Sequence, residues 1–154
     1  IGDRILVNGA EGIVSRIRIR STEIKTRDRS DVLIPNEEII TNKVTNFMLR
    51  EPFWRIHCPV GVAYGSDVDF IKKLLVQVAV ENHEVVNNDL AHAPNALFKR
   101  FGDSSLEFEL RCIVRNVNRK NFIISDLNTA IEKIFRQHNI EIPFPQRDVH
   151  IIDK

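Results

Sequence analysis

The 154-residue chain has no long hydrophobic run, no large excess of charge of either sign and few aromatic residues. Its longest apolar stretch, residues 74–80, is interrupted by Gln77 and falls far short of the ~20 residues that a membrane-spanning helix needs. A net charge of +1 argues against a dedicated nucleic-acid-binding protein, because such proteins usually carry a strong basic excess. Hydrophobic residues nevertheless make up 43% of the chain, so we expect a packed core rather than disorder.

Cysteine and methionine are also scarce. Cys58 and Cys112 are too few and too far apart in the sequence to suggest a zinc site or a disulfide framework. Each lies in a strand-like stretch, so we expect two buried, reduced thiols of the kind found in a reducing cytosol. The chain begins at Ile1 and its one methionine is Met48, which indicates a part of a longer protein.

Residues 1–49 carry the pattern of a small β-barrel built from short strands. Asn8-Gly9 is a strong signal for a tight hairpin, because both residues tolerate positive φ. Pro35-Asn36 predicts the start of a brief helix with Asn36 as its cap. A sheet of such short strands leaves unpaired backbone groups at its edges unless it closes into a barrel, so we expect a small barrel. The predicted strands are residues 4–7, 12–20, 23–26, 32–34 and 44–47.

The longest of these strands alternates in its second half. Ile17 and Ile19 are predicted to face the core, so that the arginines between them point outward. Residues 16–29 hold six basic residues against two acidic ones, a feature that we call the basic stripe. It contains no aromatic residue for stacking on bases, which leaves a solvated surface or an ion-facing surface as its interpretation. The stripe comprises Arg16, Arg18, Arg20, Lys25, Arg27 and Arg29, of which the first five are the candidate ion-facing residues.

A domain boundary is predicted at Glu51-Pro52, where the period of the hydrophobic residues changes. Beyond it the elements follow the order β-α-β-β-α-β, which is the split βαβ or ferredoxin-like pattern. Because proline disfavours central strands, we expect a bulge or a break at Pro59. The expected architecture is a small Sm/SH3-like β-barrel over residues 1–49 and a ferredoxin-like α+β domain over residues 52–154. The predicted elements of that domain are strands at residues 53–64, 96–101, 106–115 and 140–152, a helix that follows a capping box at residues 66–69, and a helix at residues 122–138.

No arrangement of residues indicates a catalytic, metal or cofactor site. The nucleophile, zinc-protease and phosphate-binding motifs are all missing, and the five histidines are scattered. Glu107 and Glu109 share one face of a predicted strand and are interpreted as a solvated stripe rather than an acid/base pair. We therefore expect no enzymatic activity and no cofactor.

Three stretches resemble the small-conductance mechanosensitive ion channel (MscS) family. The first has an opening G-D, a glycine before the long strand and a strand that ends in I-P-N, with two asparagines after it. The second matches V-x-Y-x-x-D at the start of the α+β domain, and the third, I-x-I-P-F-P-Q, is the most specific. Together they cover nearly the whole chain in the family's order. The matching residues are Gly2, Asp3, Gly12, Pro35, Asn36, Asn42, Asn46, Tyr64, Asp67, Pro143 and Pro145.

This resemblance implies the β domain and C-terminal domain of a channel subunit, at the cytoplasmic face of the cell's inner membrane. It implies a homoheptamer whose cytoplasmic parts enclose a hollow cage, with side portals for ions and small osmolytes. Membrane helices, including the gate, would precede Ile1. The chain departs from the family pattern at Glu37, where a serine is common, and at residues 28–31, where Asp-Gly is common.

A nucleic-acid-binding module is the alternative: a small barrel joined to an RNA-recognition-like domain. A sheet of that kind needs exposed aromatic residues beside arginine or lysine. Residues 106–110 instead place Glu107 and Glu109 between apolar residues, and acidic groups repel phosphate. We therefore favour a structural and permeation module of a channel, without a nucleic-acid partner.

Overall fold

A computed structural model describes residues 1–49, 53–88 and 90–147. The chain divides into two compact units, Ile1–Phe53 and Trp54–Lys154. The predicted boundary residues Glu51 and Pro52 lie outside the described ranges. None of the helices in those ranges has the length and apolar composition required to span a bilayer.

The first unit is a strongly paired antiparallel sheet with the strand order β4-β3-β2-β1-β5. The predicted hairpin at Asn8-Gly9 is confirmed, with φ angles of 47° and 82° at the two residues. The small core of this unit contains Ile5, Val7, Val14, Ile24 and Ile34. Its elements are β1 (Arg4–Val7), β2 (Ala10–Ile17), β3 (Ser21–Lys25), β4 (Asp31–Pro35), α1 (Asn36–Thr41) and β5 (Thr45–Asn46).

One glycine is required by the close approach of two strands. A Cβ atom added to Gly12 in β2 would lie 2.7 Å from the carbonyl oxygen of Lys25 in β3. Real Cβ atoms do not come this close to backbone atoms, so a larger residue would force the two strands apart. The motif glycine Gly12, which lies within β2, is therefore explained by packing.

The prediction that Ile17 and Ile19 face the core is wrong. β2 ends at Ile17, which is 58% exposed, and Ile19 lies in the turn to β3 and is 97% exposed. The strand also carries a bulge, because its register with β3 shifts between Val14 and Arg16. A bulge adds one residue to a strand and reverses the alternation beyond it. The period-2 pattern in the sequence therefore continues past the point where the strand stops.

The second unit is a three-stranded antiparallel sheet, order β6-β8-β7, with two helices packed on one face. This is the order expected of a split βαβ unit, in which β8 lies between β6 and β7. The predicted fold class, a β part followed by an α+β part, is confirmed. The elements are β6 (Trp54–Val62), α2 (Val68–Glu81), β7 (Asn95–Phe101), β8 (Leu106–Val114), a short 3-10 turn (Val117–Arg119) and α3 (Lys120–Gln137).

In both helices the buried residues recur at intervals that place them on one face. The predicted helix at residues 122–138 is confirmed as α3, and it buries five apolar residues on one face. Asn139 ends that helix in the left-handed region, with a φ of 54°. The buried residues of α3 are Ile123, Leu127, Ile131, Ile134 and Phe135.

Three local predictions in this unit need correction. β6 runs through Pro59 without a bulge, and within the described ranges it pairs with β8 alone, as an edge strand that tolerates proline. α2 is capped by Asp67, whose carboxylate accepts hydrogen bonds from two backbone N–H groups, and not by Ser66. The predicted last strand is also different: residues 140–147 contain no strand, and residues 148–152 lie outside the described ranges.

Candidate functional site: turn clamps and charged surfaces

Asn36 fastens the β2–β3 turn to the start of α1. Its side-chain amide donates hydrogen bonds to the carbonyl oxygens of Arg18 (3.0 Å) and Ile19 (3.1 Å). Its side-chain oxygen accepts a hydrogen bond of 2.8 Å from the buried hydroxyl of Thr22, and its backbone N–H donates to Arg20. α1 begins after Pro35 without a side-chain cap, so the predicted capping role of Asn36 is wrong.

The other polar motif residues of the first unit hold its two ends together. The side-chain amide of Asn46 donates to the Asp3 carboxylate at 2.8 Å, and its oxygen accepts from the backbone N–H of Met48. Gly2, with a φ of 89°, donates its N–H to the Val14 carbonyl. The bond between Asn46 and Asp3 joins the beginning of the unit to β5, and the bond from Gly2 joins it to β2.

Asn42 ends α1. Its side-chain amide and its backbone N–H both donate to the carbonyl oxygen of Glu38. The last carbonyls of a helix need such partners, because they have none within the helix. Asn42 therefore stabilises the C-terminal end of α1.

The motif residues of the second unit gather at one end of its sheet. The Tyr64 hydroxyl donates to the Gly102 carbonyl, and the ring stacks on Phe101. Pro143 and Pro145 belong to the segment that follows α3 and crosses this end of the sheet. Two hydrogen bonds hold that segment, from Ala63 N–H to the Glu141 carbonyl and from Gln146 N–H to the Ser104 hydroxyl.

The basic stripe is split into two groups. Arg16, Arg18 and Arg20 lie at or beside the β2–β3 turn, whereas the other three lie at the opposite end of β3. Arg18 and Arg20 lie beyond one end of the five-residue β3, and Arg27 and Arg29 lie beyond the other, so these two pairs are separated by roughly 15 Å, about twice the screening length at physiological salt. Lys25 is closer to the first group, because it lies two residues along β3 from Glu23, the register partner of Arg16. Arg18 is paired with the Glu23 carboxylate. The second group consists of Lys25, Arg27 and Arg29.

A second charged surface lies on the sheet of the second unit, on the face that the helices leave uncovered. We call it the open sheet face. An open groove of about 490 Å³ runs over it, lined by both acidic and basic side chains. Its charged residues are Arg55, His57, Lys99, Arg100, Glu107, Glu109 and Arg111.

Glu109 is the centre of this surface. Its Oε1 atom lies 2.5 Å from Nε of Arg111, 3.5 Å from Nδ1 of His57 and 3.7 Å from Nζ of Lys99. The hydrogen bond from Arg111 is the main reason that the pKa of the Glu109 carboxyl is lowered, and His57 adds to the effect. Three cationic or basic groups thus share one carboxylate.

Among the described residues, Glu107 is paired with Arg100. Arg100 donates from Nε at 2.6 Å and from Nη2 at 3.1 Å, which is a two-pronged contact. This contact lowers the pKa of Glu107 and raises that of Arg100. The two glutamates are therefore ion-paired, and the solvated acidic stripe expected from the sequence is in fact a mixed surface. In the sequence, the partners of the two glutamates appear as the basic pair Lys99-Arg100. Only the pairing of β7 with β8 brings this pair next to the glutamates.

The two thiols are buried as predicted. Cys58 and Cys112 are free and lie in the core beneath the helices. Burial raises the pKa of Cys58 to about 11 and that of Cys112 to about 12. Across the described ranges no group of three or more His, Cys, Asp and Glu residues is arranged to hold a metal ion.

Two family descriptions match the chain in sequence. "Mechanosensitive ion channel, beta-domain" matches residues 1–49, and "Mechanosensitive ion channel MscS, C-terminal" matches residues 56–142. The chain belongs to the MscS family of mechanosensitive ion channels.

Named relatives of this MscS-family chain support the assignment. The mechanosensitive channel MscK of Escherichia coli is 36% identical over 151 residues, which are 98% of this chain and 13% of MscK. An uncharacterised MscS family protein of Synechocystis is 40% identical over 152 residues, which are 99% of this chain and 50% of that protein. The chain thus spans half or less of the length of these curated relatives.

A solved structure shows the same fold over the whole chain. The crystal structure of Helicobacter pylori MscS in its closed state aligns with a TM-score of 0.87 at 26% sequence identity. The alignment covers 99% of this chain and 59% of the Helicobacter pylori chain. Both units of this MscS-family chain therefore have counterparts, in the same order, within one channel subunit.

Proposed function

We propose that the chain is the part of a mechanosensitive channel subunit that follows the membrane-spanning helices. Seven copies enclose a hollow vestibule below the pore, at the cytoplasmic face of the inner membrane. Ions and small osmolytes pass through the vestibule when membrane tension opens the gate during hypo-osmotic shock. The chain itself carries out no catalysis and binds no nucleic acid.

One observation carries this proposal. The match to Helicobacter pylori MscS runs through the whole chain, from the β unit to the segment after α3, with a TM-score of 0.87. A shared domain alone would support a common fold, but two units in the same order support a common place in the same kind of subunit.

The residues shared with the family support a structural role. Asn36, Asn42, Asn46 and Asp67 all make hydrogen bonds from their side chains to backbone groups. Side chains that bond to backbone groups fix the shape of turns, and the wall of a vestibule needs turns of fixed shape. In a catalytic site such side chains would act only indirectly. The open sheet face carries no Phe, Tyr or Trp in the described ranges, which gives no support to the nucleic-acid alternative.

The experiment uses the full-length parent protein in bacteria that lack their own mechanosensitive channels. We expect it to restore survival after hypo-osmotic shock and to appear as a heptamer in native mass spectrometry. A Gly12→Val variant serves as the control, because its side chain would collide with the Lys25 carbonyl and disturb the β unit. A full-length protein that is present in the membrane as a stable dimer or tetramer, and gives no protection, would overturn the proposal.

A further inference from the structure

The sheet of the second unit holds two thiols on neighbouring strands. Cys58 lies in β6 and Cys112 in β8, and both belong to the core that the helices cover, where they are 0% and 1% exposed. In the pairing of the two strands, Cys58 is opposite Leu110 and Cys112 is opposite Ile56. Because side chains alternate between the two faces of a sheet, the two cysteines are diagonal neighbours on the same face.

The spacing of diagonal neighbours is too wide for a disulfide and suits a bridging ion. Their Cα atoms are roughly 7–8 Å apart, whereas a disulfide needs Cα atoms at about 4.4–6.8 Å. The two thiols are still within electrostatic reach of each other: burial raises the pKa of Cys112 to about 12, and the proximity of Cys58 adds to this effect. Two metal–thiolate bonds of about 2.3 Å in line would span roughly 4.6 Å between the sulfur atoms, a gap that a single sulfur–sulfur bond cannot close.

The surroundings of the two thiols restrict the charge of such an ion. In the described part of the second unit, every buried residue is hydrophobic, so a complex with a net charge would be buried without a partner, at a high cost. A divalent ion that takes two thiolates gives a neutral complex, and the two protons that it displaces pass to water. A monovalent ion would leave one negative charge in the core, and Zn²⁺ would lack two of its four ligands.

We propose that Cys58 and Cys112 form a site for one soft divalent ion that takes two thiolates in line, of which Hg²⁺ is the type. Thiolates are soft ligands and favour soft ions. The two residues are 54 positions apart in the sequence, so in the unfolded chain the same bridge would close a long loop at a large cost in entropy. The folded sheet has already brought the thiols together, so the ion binds the folded chain more tightly and stabilises it.

The test is thermal unfolding of the 154-residue chain with and without one equivalent of Hg²⁺. The ion is added in urea before refolding, so that access to the core does not limit binding. The fluorescence of Trp54, the single tryptophan, reports on the second unit because its side chain packs against that core. We expect Hg²⁺ to raise the Tm by about 5 °C and to release two protons per ion, whereas one equivalent of Zn²⁺ should not raise the Tm.

The controls are Cys58→Ala and Cys112→Ala, each of which keeps one thiol. In each, Hg²⁺ should leave the Tm unchanged or lower it, because a single thiol is bound at least as well in the unfolded chain. The shift is compared within each variant, so the cost of the substitution itself does not enter.

A Tm that Hg²⁺ leaves unchanged or lowers in the parent chain, or two ions bound per chain, would show that the sulfur atoms do not share one ion and would overturn the proposal. A rise that persists in the Cys58→Ala/Cys112→Ala variant would assign the ion to other residues and overturn it as well. If the variants do not refold, the sign of the shift and the number of bound ions in the parent chain decide the question alone. None of these results depends on the chain being part of a channel.

Discussion

Asn36 shows how a single side chain can organise a small sheet. It contacts the β2–β3 turn at Arg18 and Ile19 and satisfies the buried hydroxyl of Thr22. A buried hydroxyl without a partner is costly, so the amide does more than close a turn. The turn keeps its shape although its tip, Ile19, has no packing of its own.

Replacing Asn36 with alanine should therefore destabilise the first unit. We expect Asn36→Ala to lower the free energy of unfolding by about 1–3 kcal/mol, since Thr22 loses its acceptor and the turn loses two donors. Urea unfolding of the 154-residue chain measures the change. Asn128→Ala on the exposed side of α3 is the matched control and should be neutral or slightly stabilising. Equal stability of the two variants would contradict the role of Asn36.

The two buried thiols make a second prediction at this scale. The pKa of Cys58 is raised to about 11 and that of Cys112 to about 12, so both remain neutral thiols at pH 8. Because the thiolate is the reactive form, a thiol reagent at pH 8 should modify neither residue in the folded chain and both in guanidinium. Rapid modification of the folded chain would show that the thiols are accessible.

The same shifts give the sign of a pH dependence. The folded pKa values lie above the ordinary value of 9.0, so folding favours the neutral thiol. This contribution is fully present below pH 9 and is lost as the pH rises toward 11 to 12. Stability measured from pH 8 upward should fall less steeply in the Cys58→Ala/Cys112→Ala variant than in the parent chain.

Sequence reasoning at the residue scale found the motif positions but not their contacts. The sequence predicts a helix cap at Asn36, because asparagine before acidic residues is a common helix start. Its actual partners are 14 to 18 residues away in sequence, and only the pairing of β3 with β4 brings them together. The mixed charge of the open sheet face was missed for the same reason.

At the scale of elements, helices were predicted more accurately than strands. α3 has five turns, and its five buried residues show the helical spacing of apolar residues several times along the sequence. β2 carries a short alternating pattern that continues past the strand end, and its bulge is not visible in the residue types. The segment after α3 alternates too, but Pro143 and Pro145 cannot donate to a sheet, and the segment crosses the end of the sheet instead.

The division of the basic stripe leads to a prediction at the same scale. Arg16 and Arg20 form no ion pair within the described ranges, whereas Arg18 is paired with Glu23. If the β2–β3 turn borders the ion path, Arg16→Glu with Arg20→Glu should shift the reversal potential of the full-length channel toward cations. We expect this shift to be absent from Arg27→Glu with Arg29→Glu, because that group lies roughly 15 Å away, beyond the screening length.

An unchanged reversal potential with normal conductance in both variants would mean that the basic stripe is a solvated surface. A shift with Arg27→Glu/Arg29→Glu but not with Arg16→Glu/Arg20→Glu would place the opposite end of β3 near the ions.

At the scale of the whole molecule, the chain joins two units with different purposes in the proposed channel. In the β unit, the side-chain amide of Asn36 holds the β2–β3 turn and that of Asn46 joins β5 to Asp3. The α+β unit gives a sheet with one face under helices and one charged face open to water. We infer that both line a vestibule through which ions move when the gate, in another part of the subunit, is open.

The most direct test of this account is a pressure ramp on membrane patches that contain the full-length protein. We expect stepwise currents that begin at a reproducible membrane tension and disappear when the tension is released. The Gly12→Val control should give no current or a raised threshold, because the β unit is disturbed. A full-length protein that reaches the membrane as a ring yet passes no current at any tension short of patch rupture would contradict the account.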